Sequence, residues 1–425
     1  MIARRALAAC LLVLAAPAAA HAAPAGFSDP EPVGSGEVRQ PAAAVGADGT
    51  LAVVWGGGGF REEAVSVARR PRGGTWRQVR LGGGADVVRE PQVAVLRDGT
   101  TLVAWPEARR EDMRLRYAVA PSGAPFGAVR TLARVGSAYG SGARLAALDD
   151  GRALLVWRDA IRGRGVLRYA IAGASGRFGA PRSAGEDGAF PAAVALPGGG
   201  ALLAWAARIR TSRGLRFAQL AAGAQRLGPA RTASRDSAEG ARLAAGPDGD
   251  VLLSWRSRRH RTRLYAREVA PALRAARVLT DGTLDLAHLA IGAGGAELAL
   301  WRGFDQGYRE FAGTADAAGD PFAAAPLDEG SHAMVAVGWP AFTGDGVALA
   351  LWTQSREQLG PATYDVLVAV RAPGESGFGA PQALAGDLQS NDGAGLALAQ
   401  SGSTLLAAWP GPPGTGLRVA VREAA

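Results

Sequence analysis

One residue sets the period of this chain. Trp55, Trp105, Trp157, Trp205, Trp255, Trp301, Trp352 and Trp409 follow one another at intervals of 50, 52, 48, 50, 46, 51 and 57 residues. A near-constant spacing of this size marks a chain assembled from copies of one supersecondary unit that cannot bury its apolar face alone. The surroundings repeat as well. Seven positions before the tryptophan stands Asp48-Gly49, Asp98-Gly99, Asp150-Gly151, Gly198-Gly199, Asp248-Gly249, Gly294-Gly295 or Asp345-Gly346; in the last unit Ser401-Gly402 has slipped to eight. Such dipeptides between apolar runs signal hairpins, with positive φ as in type I′ turns. The segment after each turn is apolar at nearly every position, as in Leu102-Val103-Ala104-Trp105 and Leu154-Leu155-Val156-Trp157. A strand covered on both faces reads this way, whereas a buried helix would not be bounded by hairpin turns eight times.

The second unit gives the layout: strand A at 91–96, strand B at 101–105, strand C at 113–120 and strand D at 126–132. Strand C recurs at 167–171, 215–220 and 366–371, and strand D at Phe178-Gly179-Ala180-Pro181 and Phe378-Gly379-Ala380-Pro381. The segment Phe27 to Gly34 resembles strand D, and the chain closes on Leu417 to Glu423, which resembles strand C. The first segment therefore completes the last unit. The expected fold is all-β: an eight-bladed β-propeller of four-stranded antiparallel blades, closed by its N-terminal strand so that few edges are left exposed. A seven-bladed ring with one atypical unit is the alternative. Residues 24–425 form one domain in either case.

Residues 1–23 read as a secretory signal, with Arg4 and Arg5 as the charged region, an apolar run at 6–16, and Ala20-His21-Ala22 at the cleavage site. Cys10, the single cysteine, has most of the apolar run after it and not before it, and so does not form a lipidation box; cleavage removes it and with it any disulfide. No later stretch is long and apolar enough for a membrane span, and the expected location is secreted or periplasmic, as a monomer. All 47 basic residues are arginine, and the formal charge is +9, falling to +7 once Arg4 and Arg5 leave with the signal. Ala, Gly, Arg and Pro are all codons of GC-rich DNA, so basicity alone does not point to nucleic acid.

With the blade written out, the sequence resembles the sialidase-like propellers that carry Asp-box repeats. Arg72-Gly73-Gly74-Thr75-Trp76 keeps the Gly-x-Trp end of the box; Ser175-Gly176-Arg177-Phe178 and Ser376-Gly377-Phe378 put Phe in place of Trp, and all three lack the Asp. A weaker likeness, through the A–B turns, is to propellers of the translocation protein TolB. The resemblance implies the fold, and a diverged glycoside hydrolase as one possible activity. It does not carry the catalytic set across: Phe60-Arg61-Glu62-Glu63 shares two letters with the family's Phe-Arg-Ile-Pro segment, and Tyr308 with Glu310 only imitates its Tyr-Glu pair.

Other constellations are missing from the sequence. His260, His288 and His332 show no zinc spacing. His288 falls in strand A of unit six, where it either lines the axis or is satisfied by packing. There is no nucleophile elbow, dinucleotide loop or P-loop, and no calcium loop, so neither metal nor cofactor is expected. Acid neighbours such as Asp149-Asp150 and Asp328-Glu329 fall in turns.

Charge is distributed unevenly. The B–C turns of units three to five carry Arg158, Arg162, Arg164, Arg208, Arg210, Arg213, Arg256, Arg258, Arg259, Arg261 and Arg263 against Asp159 alone. The D–A crossovers on the same face add Glu186, Asp187, Asp236, Glu239, Asp281 and Asp285 against Arg235, for a balance of +5. Two readings follow: mutual neutralisation across loops, or an anion-binding surface. On the second, Arg208, Arg210, Arg213, Arg256, Arg258, Arg259, Arg261 and Arg263 are the candidate ligand-binding residues. The partner would be an anionic glycan, a cell-envelope polymer or a protein. The sector has no interleaved aromatics for base stacking, which disfavours sequence-specific nucleic-acid recognition.

Overall fold

The computed structural model describes residues 24–58, 63–110, 112–136, 142–161, 164–186, 188–209, 212–235, 238–257, 263–281, 285–304, 308–328, 334–355, 363–389 and 395–423. They form eight antiparallel sheets. Blade 1 is Arg39–Val45, Leu51–Gly57, Glu63–Arg70 and Arg77–Ala85, given as strands A to D from the axis outward. Blade 2 is Gln92–Val95, Thr101–Arg109, Asp112–Ala120 and Arg130–Arg134, with Val87–Val88 also pairing on its strand B. Blade 3 is Arg144–Ala147, Ala153–Ile161, Arg164–Ala172 and Arg182–Glu186; blade 4 is Ala189–Leu196, Gly200–Ile209, Ser212–Leu220 and Arg231–Ser234. Blade 5 is Ala238–Ala245, Val251–Ser257, Arg263–Ala270 and Arg277–Asp281; blade 6 is His288–Ile291, Glu297–Phe304, Tyr308–Ala315 and Ala323–Pro326. Blade 7 is Met334–Phe342, Ala348–Ser355, Thr363–Arg371 and Gln382–Gln389. Blade 8 is Ala397–Ser401, Thr404–Pro410 and Leu417–Arg422, and its strand D is Glu31–Pro32 from the other end of the chain. The fold is an eight-bladed propeller. Among the described residues no helix is long and apolar enough to cross a membrane.

The hairpin turns stand where the sequence puts them, but their type differs from expectation. Leu96 N–H donates to Thr100 O at 2.8 Å, Gly99 N–H donates to Leu96 O at 2.9 Å, and Gly99 has φ 83°. None of the turn aspartates has positive φ. This is a type I turn closed by a left-handed glycine, the three-residue loop with a G1 bulge, and not a type I′ turn. The aspartate is fixed by its own side chain: Asp98 accepts Thr100 N–H at 2.9 Å and the Thr100 hydroxyl at 3.0 Å, and Asp48 does the same for Thr50 at 3.0 and 2.7 Å. In blade 8, Ser401 pairs with Thr404 around a two-residue loop that Gly402 opens, whereas Gly99 closes its loop, and this sets the dipeptide one residue farther from the tryptophan.

Strand D begins later than the Phe-Gly-Ala-Pro motif. Phe178 to Pro181 precede Arg182–Glu186, and Phe378 to Pro381 precede Gln382–Gln389. Gly179 and Gly379 each donate once to strand C, at 3.0 and 2.9 Å, and the proline two residues on has no N–H with which to extend the ladder. The phenylalanine turns into the seam with the preceding blade, where Phe178 meets the Tyr117 ring edge-on at 5.1 Å.

The core is a set of eight seams between neighbouring blades, each with one repeat tryptophan at its centre. Trp105 packs with Val54, Val67 and Leu81 of blade 1, Trp157 with Leu115 and Tyr117 of blade 2, and so on around to Trp409, packed with Leu351 and Val366 of blade 7. Trp55 closes the ring by packing against Leu406, Leu417 and Val419 of blade 8. All eight are at most 2% exposed. Closure is as the sequence implied. Glu31 pairs with Val419 and Pro32 with Arg418, flanked by Ser28 N–H to Val421 O at 2.7 Å and Val33 N–H to Leu417 O at 3.0 Å. Glu31 is also gripped from blade 1, by Trp76 Nε1 at 2.8 Å and Arg70 at 3.1 Å.

Gly34 lies under Trp55. A Cβ there would stand 2.5 Å from Cη2 and Cζ2 of the indole. We expect Gly34→Val to cost about 1–3 kcal/mol, the usual range for overpacking, and to open the closing seam. Calorimetry should show a lowered melting temperature, and size-exclusion chromatography should show oligomers formed through the freed edge. An unchanged melting temperature would show that this seam does not limit stability.

A second seam holds buried charge. Between blades 5 and 6, Arg277 bonds Glu297 at 2.6 Å and Glu268 at 3.3 Å, and Arg274 reaches Glu268 at 2.7 Å. Burial, outweighing the pull of Arg277, pushes the Glu297 carboxyl from about 4.5 up to about 7. The folded state therefore holds a proton that the unfolded chain has released, and stability falls as pH rises from about 4.5 to about 7. Melting temperatures measured from pH 4.5 to 8 should show this decline, and Glu297→Gln should flatten it.

Candidate functional site

The innermost strands surround an axial cavity of about 920 Å³. Its wall is made by the first residues of strand A in each blade, together with Arg256 near the end of a strand B. That places it toward the face of the B–C turns and D–A crossovers, where the arginine sector was expected.

One layer of the wall follows directly from strand register. The strand A residue paired with the position before each repeat tryptophan is Ala42, Gln92, Arg144, Ala192, Arg242, His288, Trp339 or Ala397. Three blades contribute only a methyl group. Blades 2, 3, 5, 6 and 7 contribute an amide, two guanidinium groups, an imidazole and an indole. Just before this layer the backbone bulges. Gln40, Glu90 and Phe190, each fifteen residues before its tryptophan, have φ of 48°, 36° and 51°, and Gly142 and Gly240 repeat the feature at 55° and 71°. Left-handed backbone at a non-glycine residue costs about 1–2 kcal/mol. Pro41, Pro91 and Pro191 follow the three non-glycines and present no N–H where the ladder is broken. The bulge sets Glu90 and a 52% exposed Phe190 on the cavity wall.

Most of the wall's charges are matched. Glu90 meets Arg144 at 2.9 Å, Glu239 meets Arg256 at 2.7 Å, and Asp285 meets Arg302 at 2.6 Å. Arg242 is the exception: it bonds no protein group among the described residues, yet its nitrogens are not sealed in. Desolvation, reinforced by the neighbouring Arg144 charge and partly offset by Glu90, lowers its pKa to about 10, so it stays cationic at neutral pH.

His288 and Trp339 form the wall of blades 6 and 7. Their rings lie 4.3 Å apart, and His288 Nδ1 is 2.9 Å from Gly338 O. A carbonyl can only accept, so the proton sits on Nδ1. Burial, together with the charges of Arg242 and Arg144, lowers the His288 pKa to about 3, and the ring is neutral. Gly338 in turn donates its N–H to Glu310 Oε1 at 2.6 Å. Glu310 pairs with Arg302, one residue past Trp301; the corresponding residues of the other blades are Val65, Leu115, Leu167, Leu215, Leu264, Val366 and Leu417. All eight positions are 0% exposed. Glu310 is thus a carboxyl in a ring of aliphatic side chains; burial pushes its pKa well above the usual range, and its Oε2 has no partner. Tyr308, two residues before it, lies under Arg302 at 4.9 Å and edge-on to Phe304 at 5.4 Å.

The arginine sector is only partly visible. Arg256 and Arg263 are both held by acids, Arg263 by Asp281 at 2.5 and 2.8 Å. Arg208 and Arg213 face each other across their hairpin and bond no protein group among the described residues. Arg210, Arg258, Arg259 and Arg261 lie outside the described residues, as do His260 and His332. Sequence reasoning did not single out Arg144, Arg242 or Trp339, and it met Glu310 only beside Tyr308 as the imitation of a Tyr-Glu pair. The signal was present: counted back from each tryptophan, the wall residue is thirteen positions upstream in blades 1 to 7.

No family model and no curated relative matches the sequence. Solved structures do. A PL25 ulvan lyase bound to a GlcA(1-4)Rha3S unit is 11% identical, with a TM-score of 0.48 over 91% of this chain and 94% of that one. The polysaccharide lyase Uly1 is 13% identical, with a TM-score of 0.48 over 78% and 89%. The β-propeller domain of the Trilobed protease from Pyrococcus furiosus is 12% identical, with a TM-score of 0.44 over 83% and 100%. These are likenesses in the path of the chain; the blade count rests on the strand pairing described above.

Proposed function

We propose that the protein is a binding module whose axial cavity takes an anionic glycan unit, with the arginine sector drawing the polymer to the same face. The observation that carries this reading is Arg242: a guanidinium without a partner among the described residues, in a cavity whose other charges are matched. Its planar fork suits a carboxylate, sulfate or phosphate. Trp339 and Phe190 supply apolar faces for a sugar ring beside it. Arg208 and Arg213, like charges opposed on one hairpin, are relieved by an anion outside the cavity, and the remaining sector residues Arg210, Arg258, Arg259 and Arg261 join them in this reading.

A sialidase-like hydrolase remains the second reading, supported by the worn Asp-box motifs. Hydrolysis needs a free carboxyl pair across the scissile bond, and Glu90, Glu239 and Asp285 on the wall are each bound by an arginine. That favours binding.

Calorimetric titration at 50 mM salt with a uronate oligosaccharide tests the proposal. We expect binding that weakens with salt. Arg242→Met should lower affinity about tenfold or more, as expected when a charge-assisted contact of about 1.5–3 kcal/mol is lost. Equal affinity in the variant would remove the cavity from the proposal, and turnover of fluorogenic glycosides would favour the hydrolase.

The same reading puts the protein outside the cytoplasm, with residues 1–23 as its export signal; these residues lie outside the described ones. Intact mass of the exported protein should place the mature N-terminus at Ala23, without an acyl chain. Retention of Cys10 would contradict it.

A further inference from the structure

The cavity has a second recognition element, of opposite polarity to its arginines. His288 lines the wall, its Nδ1 is committed to Gly338 O at 2.9 Å, and its Nε2 has no protein partner among the described residues and is not sealed off. With the proton on Nδ1, Nε2 carries a lone pair and can only accept. An arginine fork reads the anion; an imidazole acceptor beside it reads a donor on the same ligand.

The geometry points to His288 as the residue that makes the cavity select a hydroxylated anion, its Nε2 accepting a ligand hydroxyl, with Glu310 as the positioning residue that fixes it through Gly338. This rests on the reading of the cavity as an anion site. Three observations connect the chain of contacts. Glu310 occupies a position that is leucine or valine in the seven other blades, so the carboxyl departs from what the seam requires for packing. Its contact with Gly338 N–H, at 2.6 Å, anchors one side of the residue whose own carbonyl, in the next peptide unit, orients His288. Gly338 itself permits the approach, since a Cβ there would stand 2.7 Å from Glu310 Oε1. The peptide that carries this carbonyl joins Gly338 to Trp339, whose ring packs on the imidazole at 4.3 Å. Acceptor and aromatic face are therefore set together.

The charges that bear on His288 are Arg242 from blade 5 and Arg144 from blade 3, and the polar contact from blade 7 is the Gly338 carbonyl. The cations oppose protonation, so the ring remains an acceptor across pH 5 to 8.

The test compares two probes of equal charge and similar ring size, D-glucuronate and cyclohexanecarboxylate, titrated into the full chain by NMR. The wild type is expected to prefer glucuronate by about tenfold, the scale of one hydrogen bond to a site left unpaired by the analogue, with the preference constant from pH 5 to 8. His288→Phe should bring the ratio near one. Glu310→Leu, which installs the side chain type of the other blades, should fold and also reduce the ratio. Glu310→Gln, which keeps an oxygen acceptor for Gly338 N–H, should retain it. As a measurement independent of mutant folding, the ¹⁵N shifts of His288 should report the Nδ1–H tautomer, with Nε2 moving on addition of glucuronate but not of cyclohexanecarboxylate. Equal affinity of the wild type for both probes would overturn the inference while leaving the anion site standing, and binding of neither would overturn both. A preference that titrates near pH 6.5, or an Nε2–H tautomer, would also overturn it. A Glu310→Leu variant with the wild-type ratio would remove Glu310 from the argument.

Discussion

The structure depends on one contact repeated eight times: a tryptophan on the second strand of each blade, buried in the blade before it. Neither blade can bury the indole alone. Truncating a buried aromatic residue of this size typically costs about 3–5 kcal/mol, so every blade commits its neighbour. In an open array such a chain of dependencies would leave one tryptophan and one edge strand exposed. Here Trp55 has Gly34 and the strands of blade 8 to pack against, and the closing strand comes from the opposite end of the chain. Ring closure is thus the condition under which all eight contacts are made.

Much of this was legible in the sequence because burial and spacing are sequence properties. The tryptophan period gave the blade count, the uniformly apolar second strand gave burial on both faces, and the strand D-like segment at 27–34 gave the closure. Backbone conformation was less legible. Asp-Gly is compatible with both type I′ and type I plus bulge; the choice falls to the bond from Asp98 to Thr100, which holds the aspartate out of the left-handed region. Phe-Gly-Ala-Pro contains strand-forming residues, but proline cannot continue a ladder and the phenylalanine is more stable in the seam. The cavity residues were hidden for another reason. The bulge in strand A moves its side chains relative to a regular strand, and with 47 arginines the two that matter carry no compositional signal. Only alignment on the tryptophans separates Arg144 and Arg242 from the rest.

The charge sector shows how sequence sums mislead. Counting loops gave a surplus of arginine, and the described members divide into two kinds. Arg256 and Arg263 are engaged by Glu239 and Asp281, and exposed pairs of this sort are worth about 0–1 kcal/mol each while cancelling the field they would otherwise project. Arg208 and Arg213 are engaged by none of the described residues. Net charge on a face is therefore less informative than which cations lack a partner, and by that criterion the axis outranks the rim, because Arg242 stands there in a less hydrated setting and an anion would gain more from it.

The ring also explains how a buried acid is tolerated. Placing Glu310 where the other blades have leucine or valine exposes the fold to an unpaired carboxyl oxygen, at a cost of about 1–3 kcal/mol. A single-core domain could lose a large share of its stability to such a group. Here the cost falls on one seam of eight, and the remaining seams keep their aliphatic residue and their tryptophan. Repetition thus creates positions at which one copy is free to depart from the pattern. Blades 6 and 7 contain several departures together: His288 and Trp339 in the wall layer, Gly338 where blades 1, 2 and 4 have proline, and Glu310 behind them. Packing alone would have no reason to gather these four in one place, since each replaces a residue that serves the seam well elsewhere. Their contacts with one another give the reason: the glutamate holds the glycine N–H, the glycine carbonyl holds the histidine, and the histidine faces the axial cavity, where Arg242 has no partner among the described residues.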